Sequence, residues 1–456
     1  MTLSDYLRYE KSLTGTKVVC AEGDCGACTV LLASVHELDG HLLKFKSVNS
    51  CIMPVLALDG CHVVTVEGLK RDDELHPVQT AMVEHFGSQC GFCTPGFVCA
   101  MAALVETSIL EKKEITPKRA QNYLTGNLCR CTGYAPIVNA AVAVDLKKTE
   151  TLQKRYSQSE QIRELKKVVT IPAQIITSEI KLFLPTTLEE ALKLKNQYPE
   201  TRVVAGATDV GVWINKGKAT YQTVMSLQNI SDLWEIKKTK DKLIIPARVT
   251  LARLQKVLEA GLAEFDGILN IFASIQIKNS GTLVGNVVNA SPIADTIPFL
   301  LVSDAEVELQ SVDGTRLVPL DEFYLGYKKL NLKQNEIVTA IHLPLQSEVK
   351  QLSKLYKVSL RKDLDISAVT MAALFKLKGQ TILDARIAFG GVGPVVLRLK
   401  ELEKKCQGLE LTKSLLQDLS KDVESLVTPI SDVRGSKEYR LLLCQNLLLK
   451  MADECL

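Results

Sequence analysis

The residues best equipped for chemistry are thirteen cysteines, and they are unevenly placed. They stand at Cys20, Cys25, Cys28, Cys51, Cys61, Cys90, Cys93, Cys99, Cys129, Cys131, Cys406, Cys444 and Cys455, so ten fall within the first 131 of 456 residues. The opening stretch MTLSDYLRYEKS has no basic-then-apolar leader, so the expected compartment is the cytoplasm, where thiols stay reduced. Clustered reduced thiols point to metal binding more than to disulfides.

Cys20, Cys25 and Cys28, followed at a distance by Cys51, have the spacing of a plant-type 2Fe-2S site. Three thiolates from one tight loop require a backbone that wraps around the cluster, and Gly23, Gly26 and Ala27 supply residues without bulk. Backbone N–H groups of such a loop can point at the cluster sulfides. A second set stands in SQCGFCTPGF, with Cys90 and Cys93, and in GNLCRCTGY, with Cys129 and Cys131. Both pairs precede an expected helix start, where partial positive charge favours thiolates. Cysteines two apart in an extended segment can face one site. A structural zinc site is the alternative for each set, although zinc knuckles favour paired C-x2-C units. Cys61 and Cys99 fit neither pattern and read as buried apolar residues.

The elements that must position these thiols follow from the surrounding residues. Residues 1–71 are rich in Gly and Cys, with short strand-like runs at 29–32 and 63–66. Residues 72–145 predict four short helices beginning at Pro77, Pro95, Pro117 and Pro136, since proline is tolerated at the first helical position. Thr94 and Thr116 are candidate N-caps, Gly87 and Gly126 candidate helix ends, and Val78, Met82, Val83 and Phe86 one apolar face. Residues 146–175 open with a stretch, 146–168, that holds seven Lys/Arg and three Glu, and read as a linker or an exposed helix. Mixed strands and helices follow over 176–346. From 347 to 456 strands give way to two amphipathic helices near 409–426 and 437–451.

Composition limits the function classes. Fifty-five Lys and Arg against fifty-two Asp and Glu leave a net charge of +3 and no nucleic-acid footprint. No apolar run is read as long enough to span a bilayer. Six isolated histidines, with no H-E-x-x-H, read as packing or surface residues. No G-x-G-x-x-G or P-loop occurs, and GVGP at 391–394 reads as a turn. Two glycine-containing loops, 203–211 and 280–286, could cradle a pyrophosphate through backbone N–H groups or could be ordinary turns.

The segments GTKVVCAEGDCGACTV, LHPVQTAMVEHFGSQCGFCTPGF and GNLCRCTGYAPI resemble the molybdenum hydroxylases, the xanthine dehydrogenase and aldehyde oxidase family. VVAGATDVGV and TLVGNVVNASPIAD resemble the two FAD-binding loops of the same family. The resemblance implies a multidomain α+β fold. Its parts are a plant-type 2Fe-2S ferredoxin (β-grasp) domain over 1–71, a four-helix-bundle 2Fe-2S domain over 72–145, a vanillyl-alcohol-oxidase-type FAD-binding domain over 176–346 and a C-terminal α+β domain over 347–456. It implies that Cys20, Cys25, Cys28 and Cys51 bind the cluster nearer the flavin. Cys90, Cys93, Cys129 and Cys131 would bind the cluster nearer a molybdopterin, with Gln89 at the position beside that pterin. Val204, Gly206, Thr208 and Asp209 match the first flavin loop, and Phe272, Thr282, Gly285, Asn286 and Asp295 the second region. Val338 and Lys357 match later flavin contacts, and Tyr327 a residue on the nicotinamide side.

The resemblance further implies an electron-transfer subunit of a xanthine dehydrogenase, with no catalytic residue of its own. A molybdenum-binding large subunit would be its partner, in two copies of each chain. Electrons would pass from molybdopterin through two 2Fe-2S clusters to FAD and then NAD. An aldehyde or N-heterocycle substrate, oxygen as acceptor, and a non-redox zinc scaffold are the alternatives. Two departures from the family pattern stand out. The family's N-terminal hairpin has no counterpart before TLSDYLRYEKSLTG, which suggests a truncated start, bare sheet edges and a gain in thermal stability on adding upstream residues. Val284 occupies a position where the family has a turn glycine, an uncomfortable place for a β-branched residue if φ is positive.

Overall fold

The computed structural model describes residues 1–258, 262–345 and 349–456, and the chain folds as two compact units. The expected domain boundary between 346 and 347 lies outside the described residues. One unit comprises Met1–Leu194, Glu200–Trp234 and Ala273–Gly281, and the other Lys195–Pro199, Glu235–Phe272 and Thr282–Leu456.

The first unit opens with a short helix, Leu3–Asp5, capped by Thr2 in a capping box and continued as a π-helical turn, Tyr6–Glu10. Leu3 and Leu7 pack on Val30, Leu32, Val48 and Met53. Val30, Leu32 and Val48 belong to a three-stranded antiparallel sheet in which Thr29–Ser34 lies between Lys46–Asn49 and Cys61–Val64. The register pairs Thr29 with Asn49, so the residues before one strand meet those after the other.

Four helices follow, Pro77–Glu84, Thr94–Glu111, Pro117–Tyr123 and Ala135–Ala143, each with proline at its first or second position. Thr116 caps the third by accepting from Arg119 N at 3.2 Å. Thr94 does not cap the second. Cys93 holds the cap position, and the Thr94 hydroxyl donates to Ser88 at 2.8 Å. The expected apolar face of the first helix is also narrower than its sequence suggests. Val78 and Met82 are buried, whereas Val83 and Phe86 face outward. His76 is more than a packing residue: its Nδ1 accepts from Val78 N at 3.2 Å and caps that helix.

One expectation is corrected outright. Among the described residues, Thr94–Glu111 is long and apolar enough to cross a membrane by length and composition. Two facts give it another explanation. Sixty-seven per cent of that stretch is buried within the fold, and Phe97–Val105 form an unbroken buried run. They pack with Val78, Met82, Ala120, Ile137 and Ala140 as the core of the helical domain.

The same helix carries a buried carboxylate. Glu106 accepts from Leu152 N at 2.6 Å and Gln153 N at 2.9 Å, which closes the N-terminus of the helix Leu152–Tyr156. The polar stretch after 146 is therefore folded onto the domain, as two helices, Leu152–Tyr156 and Ser159–Val168. Burial raises the Glu106 carboxyl above its ordinary value, against the opposing pull of the two N–H donors. A raised carboxyl binds its proton more tightly folded than unfolded, so its contribution is full at low pH and declines as pH rises through the folded value. Glu106→Gln is expected to flatten that decline in urea-unfolding midpoints measured across the acid range. Glu106→Ala is expected to cost about 2 kcal/mol, because two buried N–H groups lose their acceptor.

The first unit also holds a four-stranded sheet in the order Ala173–Ile176, Lys181–Leu184, Thr223–Ser226, Arg202–Val204, with its last two pairings parallel. The second unit holds a five-stranded antiparallel sheet in the order Lys237–Lys238, Lys242–Pro246, Ile337–Pro344, Glu306–Ser311, Gly314–Pro319. It also holds a four-stranded sheet, Lys350–Val358, Val369–Lys378, Thr381–Gly390 and Leu397–Arg398. Met371, Phe375 and Ile387 of that sheet form a core with Leu402, Leu416 and Leu448 from the helices Lys400–Cys406, Lys413–Asp422 and Lys437–Cys455. The fold is multidomain α+β, as the resemblance implies.

Candidate iron–sulfur and flavin sites

The strand register brings the first cysteine set together. Cys28 immediately precedes Thr29, and Cys51 sits in the 3₁₀ turn Ser50–Ile52 that follows the paired strand. Ser50 N and its hydroxyl both donate to Cys28 O, at 3.3 and 2.7 Å. Ala21, Gly23 and Gly26 adopt positive φ, which folds the loop tightly enough to turn its thiols inward. The Cys25 and Cys51 thiols hydrogen-bond Cys20 and hold it far below its ordinary value, and Cys51 does the same for Cys28. Cys25, facing Cys20, and Cys51, facing both Cys20 and Cys28, are pushed up in return. Four sulfurs this close repel one another as thiolates, and a bound metal group would let all four ionise.

The second set forms two facing pairs. Cys131 and Cys90 lie 3.5 Å apart, sulfur to sulfur, and both are exposed. Cys93, at the cap position of the long helix, faces Cys129, and burial followed by the neighbouring Cys129 thiol pushes Cys93 up to about 12. Burial opposes ionisation of Cys129, but the Thr132 hydroxyl at 3.2 Å and Thr132 N at 3.5 Å outweigh it and hold Cys129 low. Facing pairs suit a two-iron cluster, in which each iron takes two thiolates, better than a tetrahedral zinc.

The two cysteine loops are stitched to one another. Leu128 N, adjacent to Cys129, donates to Cys25 O at 2.9 Å, and Asn127 Nδ2 donates to Gly26 O at 2.9 Å. A Cβ on Gly26 would lie 2.2 Å from Gly126 O, and one on Gly96 would lie 2.2 Å from Gly26 O. Only glycine permits that approach. Of the two unassigned cysteines, Cys99 is buried as expected. Cys61 differs: it is half-buried, and its sulfur accepts from Gln228 Nε2 at 3.4 Å.

The candidate flavin residues fall on both units. In the first, the strand Arg202–Val204 leads through Gly206 and Ala207, at φ +59°, into the helix Thr208–Asn215. A Cβ on Gly206 would stand 2.0 Å from Ser280 O, so the first glycine loop lies directly against the start of the second. Val204 is buried, and Thr208 and Asp209 open the helix. A turn of small residues leading into a helix start is a backbone form that suits a pyrophosphate.

In the second unit the stretch expected as small-residue turns contains a helix, Leu283–Asn289. Thr282 caps it by accepting from Gly285 N at 3.0 Å, a signal present in the sequence as a threonine before an apolar run. Val284 lies inside this helix with its side chain buried, and it is absent from the residues of positive φ. The anticipated strain does not arise. Asn286 Oδ1 accepts from the Thr296 hydroxyl at 2.5 Å. Next to Thr296, the Asp295 carboxylate pairs with Lys357 and accepts from Ser367 and, at 2.9 Å, from Thr370. Ser367 and Thr370 were missed from the sequence because they meet Asp295 only through the fold. Val338 is buried within its strand, and Phe272 follows the helix Ala263–Ile271. Tyr327 is exposed on the turn between Tyr324–Gly326 and Lys329–Leu330. Tyr324 OH, donating to Val287 O at 3.0 Å, and Lys328, bonded to Asn289, fasten that hairpin to the Leu283–Asn289 helix.

Four family models match the chain end to end in the order of these sites. They are a 2Fe-2S iron-sulfur cluster binding domain over residues 1–56, a [2Fe-2S] binding domain over 65–142, a FAD binding domain in molybdopterin dehydrogenase over 178–346, and a CO dehydrogenase flavoprotein C-terminal domain over 354–455. The chain belongs to the molybdenum hydroxylase family. Among molybdenum hydroxylases, xanthine dehydrogenase 1 of Arabidopsis thaliana is 30% identical over 520 residues, covering 99% of this chain and 38% of that protein. Xanthine dehydrogenase/oxidase of Mus musculus is 31% identical over 472 residues, covering 92% and 34%. The chain thus spans just over a third of the length of these relatives. Reconstituted CO dehydrogenase from Oligotropha carboxidovorans superposes with a TM-score of 0.56 at 25% identity, over 60% of this chain and 97% of that one. Quinoline 2-oxidoreductase from Pseudomonas putida 86 shares the fold, with a TM-score of 0.55 at 22% identity over 59% and 94%. The parts matched in this molybdenum hydroxylase chain are two 2Fe-2S domains and a FAD-binding domain.

Proposed function

We propose that this chain is the electron-transfer subunit of a xanthine dehydrogenase whose molybdopterin site lies on a larger partner chain, with NAD as the final acceptor and two copies of each chain in the assembly. When bound, two 2Fe-2S clusters and FAD supply one-electron relay and its conversion into two-electron transfer. The eight cysteines, Cys20, Cys25, Cys28, Cys51, Cys90, Cys93, Cys129 and Cys131, are assigned as the cluster ligands. The flavin is assigned to Val204, Gly206, Thr208, Asp209, Phe272, Thr282, Gly285, Asn286, Asp295, Val338 and Lys357.

The observation that carries this reading is the contrast between the two cysteine sets. Cys28 and Cys51 are buried, whereas Cys90 and Cys131 are exposed beside Phe92 and Leu128, which are also exposed. An exposed redox site with apolar neighbours suits a partner that covers it. Gln89, next to Cys90 and exposed, would face the pterin of that partner. The same relay would serve an aldehyde or N-heterocycle hydroxylase, since a CO dehydrogenase chain shares the fold and the fold is therefore not particular to xanthine. Substrate choice then rests with the partner.

Co-expression with the molybdenum partner tests the proposal. Xanthine-dependent NAD reduction is the expected result, and turnover of aldehydes or heterocycles in place of xanthine would favour the second reading. Tyr327, exposed on its hairpin, is assigned to the nicotinamide. Tyr327→Ala is expected to raise KM for NAD up to about tenfold, the loss of one stacking contact, with little change when an artificial acceptor replaces NAD.

A further inference from the structure

The helix that leaves the first glycine loop ends on the first cysteine loop. Thr208–Asn215 presents three residues to that loop, Gly211, Val212 and Asn215, at helical spacing. A Cβ on Gly211 would lie 2.0 Å from Ile52 O, so helix and turn touch backbone to backbone. Val212 packs against Cys28, Cys51 and Ile52. Asn215 Nδ2 then donates to Cys51 O at 2.7 Å and to Ala21 O at 2.9 Å. Both partners are carbonyl oxygens, so the amide can take only this orientation. Beside it, Lys216 Nζ pairs with Glu22 at 2.9 Å.

We propose that Asn215 is a positioning residue for the plant-type cluster: its single amide group joins the carbonyl after Cys20 to the carbonyl of Cys51 and so holds the two ligand-bearing segments at fixed separation. Cys20, Cys25 and Cys28 come from one loop, but Cys51 comes from a separate turn, and nothing covalent nearby fixes the distance between them. Ala21 adopts φ +56°, a conformation alanine adopts at a cost, and the bond from Asn215 lands on its carbonyl. The helix doing this is the one that begins at Thr208 and Asp209, so one rigid element runs from the candidate flavin loop to the cluster loop. Hydrogen bonds outside the ligand sphere orient the ligands and commonly change metal affinity about 10- to 100-fold when removed. This inference rests on the assignment of Cys20 and Cys51 as cluster ligands made above.

The test compares Asn215→Asp, which keeps the shape and removes both donors, with Asn215→Gln, which keeps the donors. Each is made in the full chain with its clusters assembled, and Asn215 is exposed enough for both to fold. The readouts are iron release into a chelator and the low-temperature EPR spectrum of each cluster after anaerobic reduction. Asn215→Asp is expected to release the plant-type cluster at least about tenfold faster and to shift its EPR line, with the second cluster unchanged. Asn215→Gln is expected to recover most of the wild-type behaviour. Wild-type release rates and spectra for both clusters in Asn215→Asp would overturn the inference, as would equal changes in the two clusters, which would mark a general loss of stability. A wild-type chain that takes up no iron would overturn the ligand assignment itself, and the inference with it.

Discussion

Asp295→Ala is expected to cost about 3–5 kcal/mol of stability in the second unit and to lower FAD content in parallel. The Asp295 and Lys357 side chains are 5% and 2% exposed, so the pair is held out of water. The carboxylate also accepts from the hydroxyls of Ser367 and Thr370, and Lys357 donates to Asp365 O at 2.8 Å. Removing the carboxylate leaves a buried ammonium with one carbonyl acceptor and two hydroxyls without theirs. Replacing both charges at once avoids that penalty. Asp295→Ala combined with Lys357→Met is therefore expected to be more stable than Asp295→Ala alone, a coupling that a double-mutant cycle in urea measures directly. A cost below about 1 kcal/mol for the single change, the level of an exposed pair, would show that the pair is not desolvated in the folded chain.

The second large effect concerns Gly26. Gly26→Ala places a side chain on a residue at φ +67°, which costs about 1–2 kcal/mol by itself. It also drives the new Cβ to 2.2 Å from Gly126 O and 2.5 Å from Asn127 Nδ2. Backbone cannot retreat there without moving Leu128, whose N–H is bonded to Cys25 O. The expected result is loss of iron from both cysteine sets and a stability cost above about 3 kcal/mol. Gly40 provides the control. It has φ +61° but nothing within 4 Å of an added Cβ, so Gly40→Ala isolates the conformational cost. Iron content and urea midpoints for the two variants separate the contributions, and equal effects would mean that the junction between the loops is not close-packed.

What could be read from the sequence depended on the range of the interaction involved. The cysteine spacings and the proline-led helices are local signals: Pro77 and Pro117 open their helices where they were expected, and the helix at Pro95 starts one residue early, with Cys93 in place of Thr94 at its cap. Thr282 shows the same rule from the other side: its capping role is local, yet the small residues after it suggested turns and hid a helix. Outward-facing Val83 and Phe86 show the limit of periodicity, which finds apolar residues but not the surface that covers them. Glu106, Ser367, Thr370 and Asn215 carried no signal, because each meets a partner distant in the chain. Val284 illustrates the converse. A departure from a family pattern suggested strain, and the helix that forms around it removes the reason for concern.

The claim on which the rest depends is that the eight cysteines hold two 2Fe-2S clusters in a chain that also binds FAD. An anaerobic ultraviolet–visible spectrum of the purified chain, with iron, zinc and flavin quantified on the same sample, tests it most directly. The expected result is about four irons and one FAD per chain, a brown protein whose absorbance bleaches on reduction, and little zinc. A colourless protein with about two zincs and no flavin, after anaerobic reconstitution with iron and sulfide, would contradict it and leave a zinc scaffold in its place.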